Sequence, residues 1–405
     1  VEKILYYDFL KHSVYLYLLP QAMIINILKW VIGTLITLLT LLILGLIVTD
    51  HTYILRGIRV TYFTGHSTAF LEDYHYFENR TIKTTTPEPW PKANDYNTVE
   101  STAVLDSLHT VNGSVAYLVI KNDSLWFEKY YDGYTEKSLS NSFSMAKSIT
   151  AAILGKALEL GYIKNLEEKV KDYLPDLQGP YADEVTIRDL VTMRSGLQWD
   201  EKYYSPFSIT TKAYFYNDIS KAMLELPIIN KPNEVFRYQS GDTQLLGMVL
   251  SKALPMTLTE FLSEYFWQPM GAEQDALWQI SSNDGMEKTY CCIASNARDF
   301  ARFGKLYAQS GRWKDKQLLD SAYIQQSIQP AADNSPDYGY SWWVSTFDGK
   351  KVFSMNGHLG QFVIAIPEDN LIIVRLGHKT DKLGIHNPQG AYYKYIEQTY
   401  ILLQK

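Results

Sequence analysis

The chain has 405 residues, 46% hydrophobic and 20% charged, enough apolar surface to repay the entropy of ordering a large core, which excludes a disordered chain. Lys+Arg 38 against Asp+Glu 44 leaves a net charge of −6, and no long basic block interrupts it, so nucleic acid is not expected as a partner. Cys291 and Cys292 are adjacent; a normal bridge between neighbours is geometrically poor, so both read as small buried residues and no disulfide scaffold is expected.

Residues 1–29 are apolar but interrupted by Asp8, Lys11, His12 and Pro20, an N-terminal segment that could form an interfacial or second membrane helix. Residues 30–49, WVIGTLITLLTLLILGLIVT, carry no charge, and roughly 20 residues of helix cross a hydrocarbon layer of about 30 Å. A helix is required there because lipid offers no partners to backbone groups. Lys3, Lys11 and Lys29 lie upstream and Asp50 follows, while Arg56 and Arg59 blur the asymmetry. The positive-inside rule then gives a cytoplasmic N-terminus in a bacterial cytoplasmic membrane, with the remainder facing the periplasm or exterior. No small-residue cleavage pattern follows the apolar core, so a retained single-pass anchor is expected.

Residues 50–99 contain the run TTTPEPWPK at 84–92. Pro87, Pro89 and Pro91 remove backbone donors and restrain the dihedrals, which reads as an extended connector. A folded domain is expected over 100–405. Its first strand pair lies in residues 114–134, broken by the turn-forming Lys121, Asn122 and Asp123. A helix follows from Ser144 to Leu160, with Ala146, Ile149, Ile153 and Leu160 on approximate helical spacing and Gly161 as terminator. Helices are also expected near 187–193, 242–252, 258–266 and 296–309. The tail reads as strands and then a closing helix from Ala391. Strands at both ends and helices between suggest one discontinuous α+β unit.

Ser144 and Lys147 share one face at the start of the predicted helix. The helix N-terminus favours both an anionic intermediate and a depressed lysine pKa. That pair suits acyl transfer, although Ser-x-x-Lys recurs by chance in long chains. Together with KVKDYLPDLQG and TIRDLVTMRSGLQW downstream, SMAKSITAAILGKALELGYI resembles the serine β-lactamase-like hydrolases. The likeness is greatest to the esterases and amidases near class C β-lactamases and 6-aminohexanoate-dimer hydrolases, and it spans roughly residues 100–400.

The resemblance implies a β-lactamase/penicillin-binding-protein-like fold, an antiparallel sheet flanked by helices with a helical subdomain, preceded here by the transmembrane helix. It also implies an acyl-enzyme mechanism with Ser144 as nucleophile and Lys147 as general base. Tyr238 in RYQSG matches the Tyr-x-Ser form of the second motif and would relay a proton to the leaving group. His358, Leu359 and Gly360 in NGHLGQF stand at the third motif, Gly360 letting substrate approach the backbone. The N–H of Gln361 would then join that of Ser144 in an oxyanion hole. Tyr203, in the segment where the dimer-hydrolase branch carries an extra tyrosine, and His358 are candidate substrate contacts. Tyr204 competes with Tyr203 for that role. Arg194, Trp199, Trp342 and Trp343 are pocket candidates that packing explains equally well.

The expected substrate is a small ester or amide, with membrane lipid met through residues 30–49. No cofactor is expected, and no metal: His75, His358, His378 and His386 lie in unrelated settings, and HExxH, a phosphate loop and a dinucleotide fingerprint are missing. Alternative readings are a β-lactamase, a D-amino-acid peptidase or a silent membrane-anchored binding module. Residues Ser144, Lys147 and Tyr238 together speak for catalysis, since a binder has no physical need of all three.

Overall fold

The computed structural model describes residues 21–381 and 383–404; the N-terminal segment's residues 1–20 fall outside this range. The chain divides into two compact units, residues 1–56 and 57–405.

The first unit contains helix α1 (Gln21–Val48), longer by nine residues at its start than the expected span. At 1.5 Å per residue it is about 42 Å long. The stretch from Ala22 has a mean hydropathy of 2.8, and its leucines and isoleucines are exposed on every side. Thr37 and Thr40 donate their hydroxyls to the carbonyls of Gly33 and Ile36, each at 2.9 Å, so their polarity is satisfied within the helix. Among the described residues α1 is the one straight helix long and apolar enough to cross a membrane. Its place near the N-terminus fits a single-pass anchor or a signal sequence.

The chain enters the second unit within α2 (Tyr53–Val60). Strand β1 (Asn79–Ile82) precedes helix α3 (Ala103–Val111), and β2 (Ser114–Lys121) and β3 (Ser124–Tyr130) form the expected hairpin. Asn122 and Asp123 turn it with φ of 48° and 64°, the paired left-handed conformation that matches strand twist. After β4 (Ser140–Asn141) come α4 (Met145–Glu159), α5 (Val170–Tyr173), α6 (Ile187–Val191), α7 (Ile209–Phe215), α8 (Ile219–Leu224), α9 (Ser240–Ala253) and α10 (Leu258–Leu262). Strands β5 (Ala276–Gln279) and β6 (Ile293–Ser295) lead to α11 (Ala297–Ala308). The small hairpin of β7 (Arg312–Trp313) and β8 (Lys316–Gln317) and helix α12 (Ser321–Ser327) follow. The chain closes with β9 (Trp343–Phe347), β10 (Lys350–Gly357), β11 (Gln361–Ile366), β12 (Leu371–Gly377) and α13 (Ala391–Leu403).

The main sheet is antiparallel with order β3-β2-β12-β11-β10-β9, which joins the first and last strands of the domain across its helical middle. Val119 pairs with Ile373 and Ile373 with Ile364, and these side chains share a core cluster with Tyr117, Tyr392 and Tyr395 under α13. The alternate residues face α11, where Gly304 lies so close that a Cβ would meet Val363 at 2.9 Å. Both faces are covered, so the central strands are buried along their whole length.

Helix α4 differs from the amphipathic element its spacing suggested. It packs between β10 and α9 and is buried from Met145 to Ala157, Lys147, Ser148, Thr150 and Lys156 included; Leu160, expected on its core face, is exposed. Gly161 ends it with φ of 77°.

Two expectations are corrected. The segment 57–99 is part of the folded body, because its apolar and acidic side chains find burial there: β1 pairs with β5, and Trp90 and Asp73 are buried. The proline run is extended as expected, but it lies along β3, the Leu125 N–H donating to Pro91 O at 2.8 Å and that of Ala93 to Leu125 O at 3.0 Å. Cys291 and Cys292 are buried as expected yet bonded to each other. A left-handed φ of 77° at Cys292 turns the chain so that both side chains share one side.

Candidate active site

Strand β4 delivers the chain into a tight turn, Ser142–Phe143–Ser144, at the head of α4. The Ser142 N–H donates to Ile293 O at 2.7 Å and the Ile293 N–H to Ser142 Oγ at 3.0 Å. Phe143 has φ of 45°, a conformation costing roughly 1–3 kcal/mol for such a side chain. A serine at a helix N-terminus ordinarily spends its Oγ on a backbone N–H. Ser144 makes no such cap, and its Oγ instead takes a hydrogen bond from Lys147 Nζ at 2.9 Å.

Lys147 is fully buried. Its Nζ also donates to Ser240 Oγ at 3.0 Å and Tyr290 O at 2.9 Å. Burial lowers its pKa to about 8, and the Glu201 charge opposes part of that shift. An amine poised there can lose its proton near neutrality and accept one from the serine.

Tyr238 immediately precedes α9. Its ring stacks on Trp343 at 5.2 Å with the Lys147 ammonium 5.2 Å from its centroid, and it lines the same cleft as Ser144. Burial and then the Glu201 charge raise its phenol above the ordinary tyrosine value, against the pull of Ser144. It therefore holds its proton when Lys147 is ready to lose one.

Glu201 organises this group. It accepts from Trp199 Nε1 at 2.6 Å, Tyr203 OH at 2.6 Å, Ser240 N–H at 2.8 Å and Ser240 Oγ at 2.6 Å. The sequence showed Glu201 only as a neighbour of Tyr203; folding brings the N–H and Oγ of the distant Ser240 onto it beside the local donors Trp199 and Tyr203.

The cleft beside Ser144 encloses about 320 Å³ and is lined by Tyr203, Tyr238, Trp343, Asn356 and His358 among others. Tyr203 stacks on His358 with centroids 5.0 Å apart, whereas Tyr204 is 70% exposed, which separates the two tyrosines. Phe143 meets the other side of the imidazole edge-on at 5.5 Å. Burial lowers the His358 pKa to about 4, so the ring is neutral at ordinary pH.

The third motif sits differently from its expected reading. His358–Gly360 is a turn between β10 and β11, and Gly357 ends the strand that abuts the Ser142–Ser144 turn: a Cβ there would lie 2.3 Å from Ser142 O. Gly360, with φ of 80°, lies against Thr380 and Arg375 and lines the cleft. Gln361 is buried and pairs with Gly357, its side-chain amide exchanging hydrogen bonds with Gly377 at 2.7 and 3.0 Å. Gly357, His358, Leu359 and Gly360 all line the cleft beside Ser144. Arg375, also buried, braces this wall by donating to Leu359 O at 2.9 Å, Gly360 O at 2.8 Å and Lys379 O at 2.9 Å.

Of the remaining candidates Trp343 lines the cleft, Trp199 supports Glu201, Trp342 packs in the core on Tyr307, and Arg194 bonds Asn233 O outside it. Among the described residues no three His, Cys, Asp or Glu side chains group as metal ligands.

The beta-lactamase family model matches residues 109–393. The 6-aminohexanoate-dimer hydrolase of Paenarthrobacter ureafaciens is 23% identical over 289 residues, covering 66% of this chain and 73% of that one. A Bacillus anthracis homologue of that hydrolase superimposes with TM-score 0.67 at 21% identity, over 82% of this chain and 92% of the other. A D-stereospecific amidohydrolase from Streptomyces sp. does so with TM-score 0.54 at 14% identity, over 69% and 94%. With an antiparallel sheet, a helical middle and a Ser-Lys pair at the head of a buried helix, this chain belongs to the beta-lactamase family.

Proposed function

We propose that the protein is a membrane-anchored serine hydrolase that cleaves small esters or amides through an acyl-enzyme. The observation that carries this reading is the buried Lys147 amine, with pKa about 8, lying 2.9 Å from Ser144 Oγ. Neutral Lys147 takes the hydroxyl proton as Ser144 Oγ bonds to the substrate carbonyl carbon. The N–H of Ser144 and that of Gln361, on the strand paired with Gly357, suit the developing oxyanion. Tyr238 gives its proton to the departing oxygen or nitrogen as the bond to carbon breaks, and recovers one from the Lys147 ammonium, which returns to the neutral amine. Water then attacks the ester, with the same groups acting in reverse.

The cleft supports neutral substrates. Among its described lining residues there is Asp381 and no Lys or Arg, and His358 is uncharged, so nothing there clamps a carboxylate as strongly as a cation would. Helix α1 supports a membrane anchor, and the lysines upstream of it support an outward-facing catalytic unit.

Rapid acid quenching during turnover of a p-nitrophenyl ester, followed by peptide mass spectrometry, tests the reading. An acyl group is expected on the peptide carrying Ser144; an adduct on another residue, or none under burst conditions, contradicts it.

A further inference from the structure

The segment before residue 109 lies outside the family match, yet it reaches the base of the nucleophile turn. Asp73 is completely buried. Its Oδ1 accepts from Asn141 Nδ2 at 2.9 Å and Gln279 Nε2 at 3.2 Å, and its Oδ2 from Tyr214 OH at 2.6 Å and Phe70 N–H at 3.4 Å. Asn141 spends its other amide atom on the turn: Oδ1 accepts the Phe143 N–H at 2.9 Å. The backbone N–H of Asn141 donates to Leu71 O at 2.9 Å, a second tie to the same segment.

An asparagine amide has two orientations related by a half-turn, and its surroundings choose between them. A carboxylate can only accept. With Asp73 ionised, the NH₂ group must face it, and the oxygen is left facing Phe143 N–H. Reversal would set oxygen against carboxylate and NH₂ against N–H. Phe143 is held in a left-handed conformation that a bulky residue keeps only where its surroundings over-determine it, and the next residue is Ser144.

Burial raises the Asp73 pKa to about 6, opposed by Tyr214, Asn141, Lys288 and Phe70 N–H, so the group is charged at neutral pH. Lys288 faces the same pocket, donating to Tyr214 O at 2.6 Å.

We propose that Asp73 is a positioning residue for the nucleophile: its carboxylate orients the Asn141 amide, which fixes the Phe143 turn and presents Ser144 to Lys147. This rests on the reading of Ser144 as nucleophile. The segment before the matched region is then a working part of the hydrolase.

The test is the second-order rate of covalent labelling by a fluorophosphonate, with kcat and KM on a p-nitrophenyl ester, measured on the full chain in detergent. Asp73→Asn and Asn141→Ala are each expected to slow labelling roughly 10- to 100-fold, the scale of an ångström's misplacement of a reacting group. kcat falls while KM stays near wild type. The double variant is no slower than the slower single one, because both act through one contact. Tyr117→Phe, which removes a buried hydroxyl 2.6 Å from Thr399 in the cluster under α13, controls for lost stability and keeps wild-type labelling. Wild-type labelling in Asn141→Ala, or effects of the two substitutions that multiply, overturns the proposal. If Asp73→Asn fails to fold, the Asn141→Ala rate alone decides it. Labelling that survives Ser144→Ala overturns the nucleophile assignment itself, a separate outcome.

Discussion

Lys147 and Glu201 are joined through one hydroxyl: Ser240 Oγ accepts from the Lys147 amine at 3.0 Å and donates to the Glu201 carboxylate at 2.6 Å. The carboxylate therefore acts on the base without touching it. An opposite charge favours the ammonium, and its removal should shift the rising limb of kcat/KM to lower pH. Glu201→Gln is expected to show that shift together with a lower plateau, since glutamine keeps one acceptor oxygen and either the Tyr203 and Ser240 hydroxyls or the Trp199 and Ser240 N–H groups then face an NH₂. An unmoved limb would show the two groups to be uncoupled.

The wild-type profile follows from Lys147 itself. Its pKa is lowered to about 8 and its neutral form is the reactive one, so kcat/KM should rise with pH and reach half its plateau near 8. His358, at about 4, is neutral throughout and adds no limb between pH 5 and 9. A half-maximum near 6.5, the ordinary histidine value, would point to an imidazole base instead.

Tyr238 is assigned to the leaving group. Tyr238→Phe should lower hydrolysis of an anilide by roughly 10²-fold or more, the usual scale for general acid catalysis, and that of a p-nitrophenyl ester by less, because nitrophenolate leaves without a proton. Parallel kcat/KM measurements on matched substrates check this. Equal losses on both would assign Tyr238 to activating the nucleophile.

No Lys or Arg stands among the described residues lining the cleft, and this bears on β-lactams, which carry a carboxylate. A charge-assisted hydrogen bond contributes roughly 1.5–3 kcal/mol, or one to two orders of magnitude in rate if it is felt in the transition state. Nitrocefin should be a poorer substrate than a short-chain p-nitrophenyl ester in kcat/KM. The opposite order would show that the carboxylate is bound by some other means.

The hairpin at Asn122–Asp123, helix α4 and the last strands were legible because their signals are local: turn residues, runs of β-branched residues and a terminating glycine. The Ser144–Lys147 pair was legible for the same reason, since three residues on a helix fix their distance. Asp73 and Glu201 were not, because each acquires its role from partners brought together by long-range packing; Ser240 stood in the Tyr-x-Ser motif, but its place between Lys147 and Glu201 did not. The third motif shows the limit of reading by order alone. Both Gly357 and Gly360 stand in NGHLG, and only the end of β10 against Ser142 decides which glycine the nucleophile turn requires. The pairing of Cys291 with Cys292 depends on one left-handed residue that no local pattern announces.

Close packing around α4 gives a stability test independent of catalysis. A Cβ on Gly155 would lie 2.4 Å from the Tyr323 ring and 2.9 Å from Leu319. Gly155→Ala should therefore destabilise by about 1–3 kcal/mol through overpacking, despite alanine's better helix propensity, as a lower denaturation midpoint. An unchanged or raised midpoint would mean that α4 packs more loosely than described.

The central claim is that Ser144 is the nucleophile, and its direct test is the turnover of a p-nitrophenyl ester by purified Ser144→Ala, with folding verified by its melting temperature. The hydroxyl contributes little to packing at the edge of the cleft, so the variant should melt with the wild-type protein and retain less than about one part in 10³ of its kcat, as loss of a covalent nucleophile does. A folded Ser144→Ala that keeps a tenth of wild-type turnover, roughly 1.4 kcal/mol of barrier, would contradict the account.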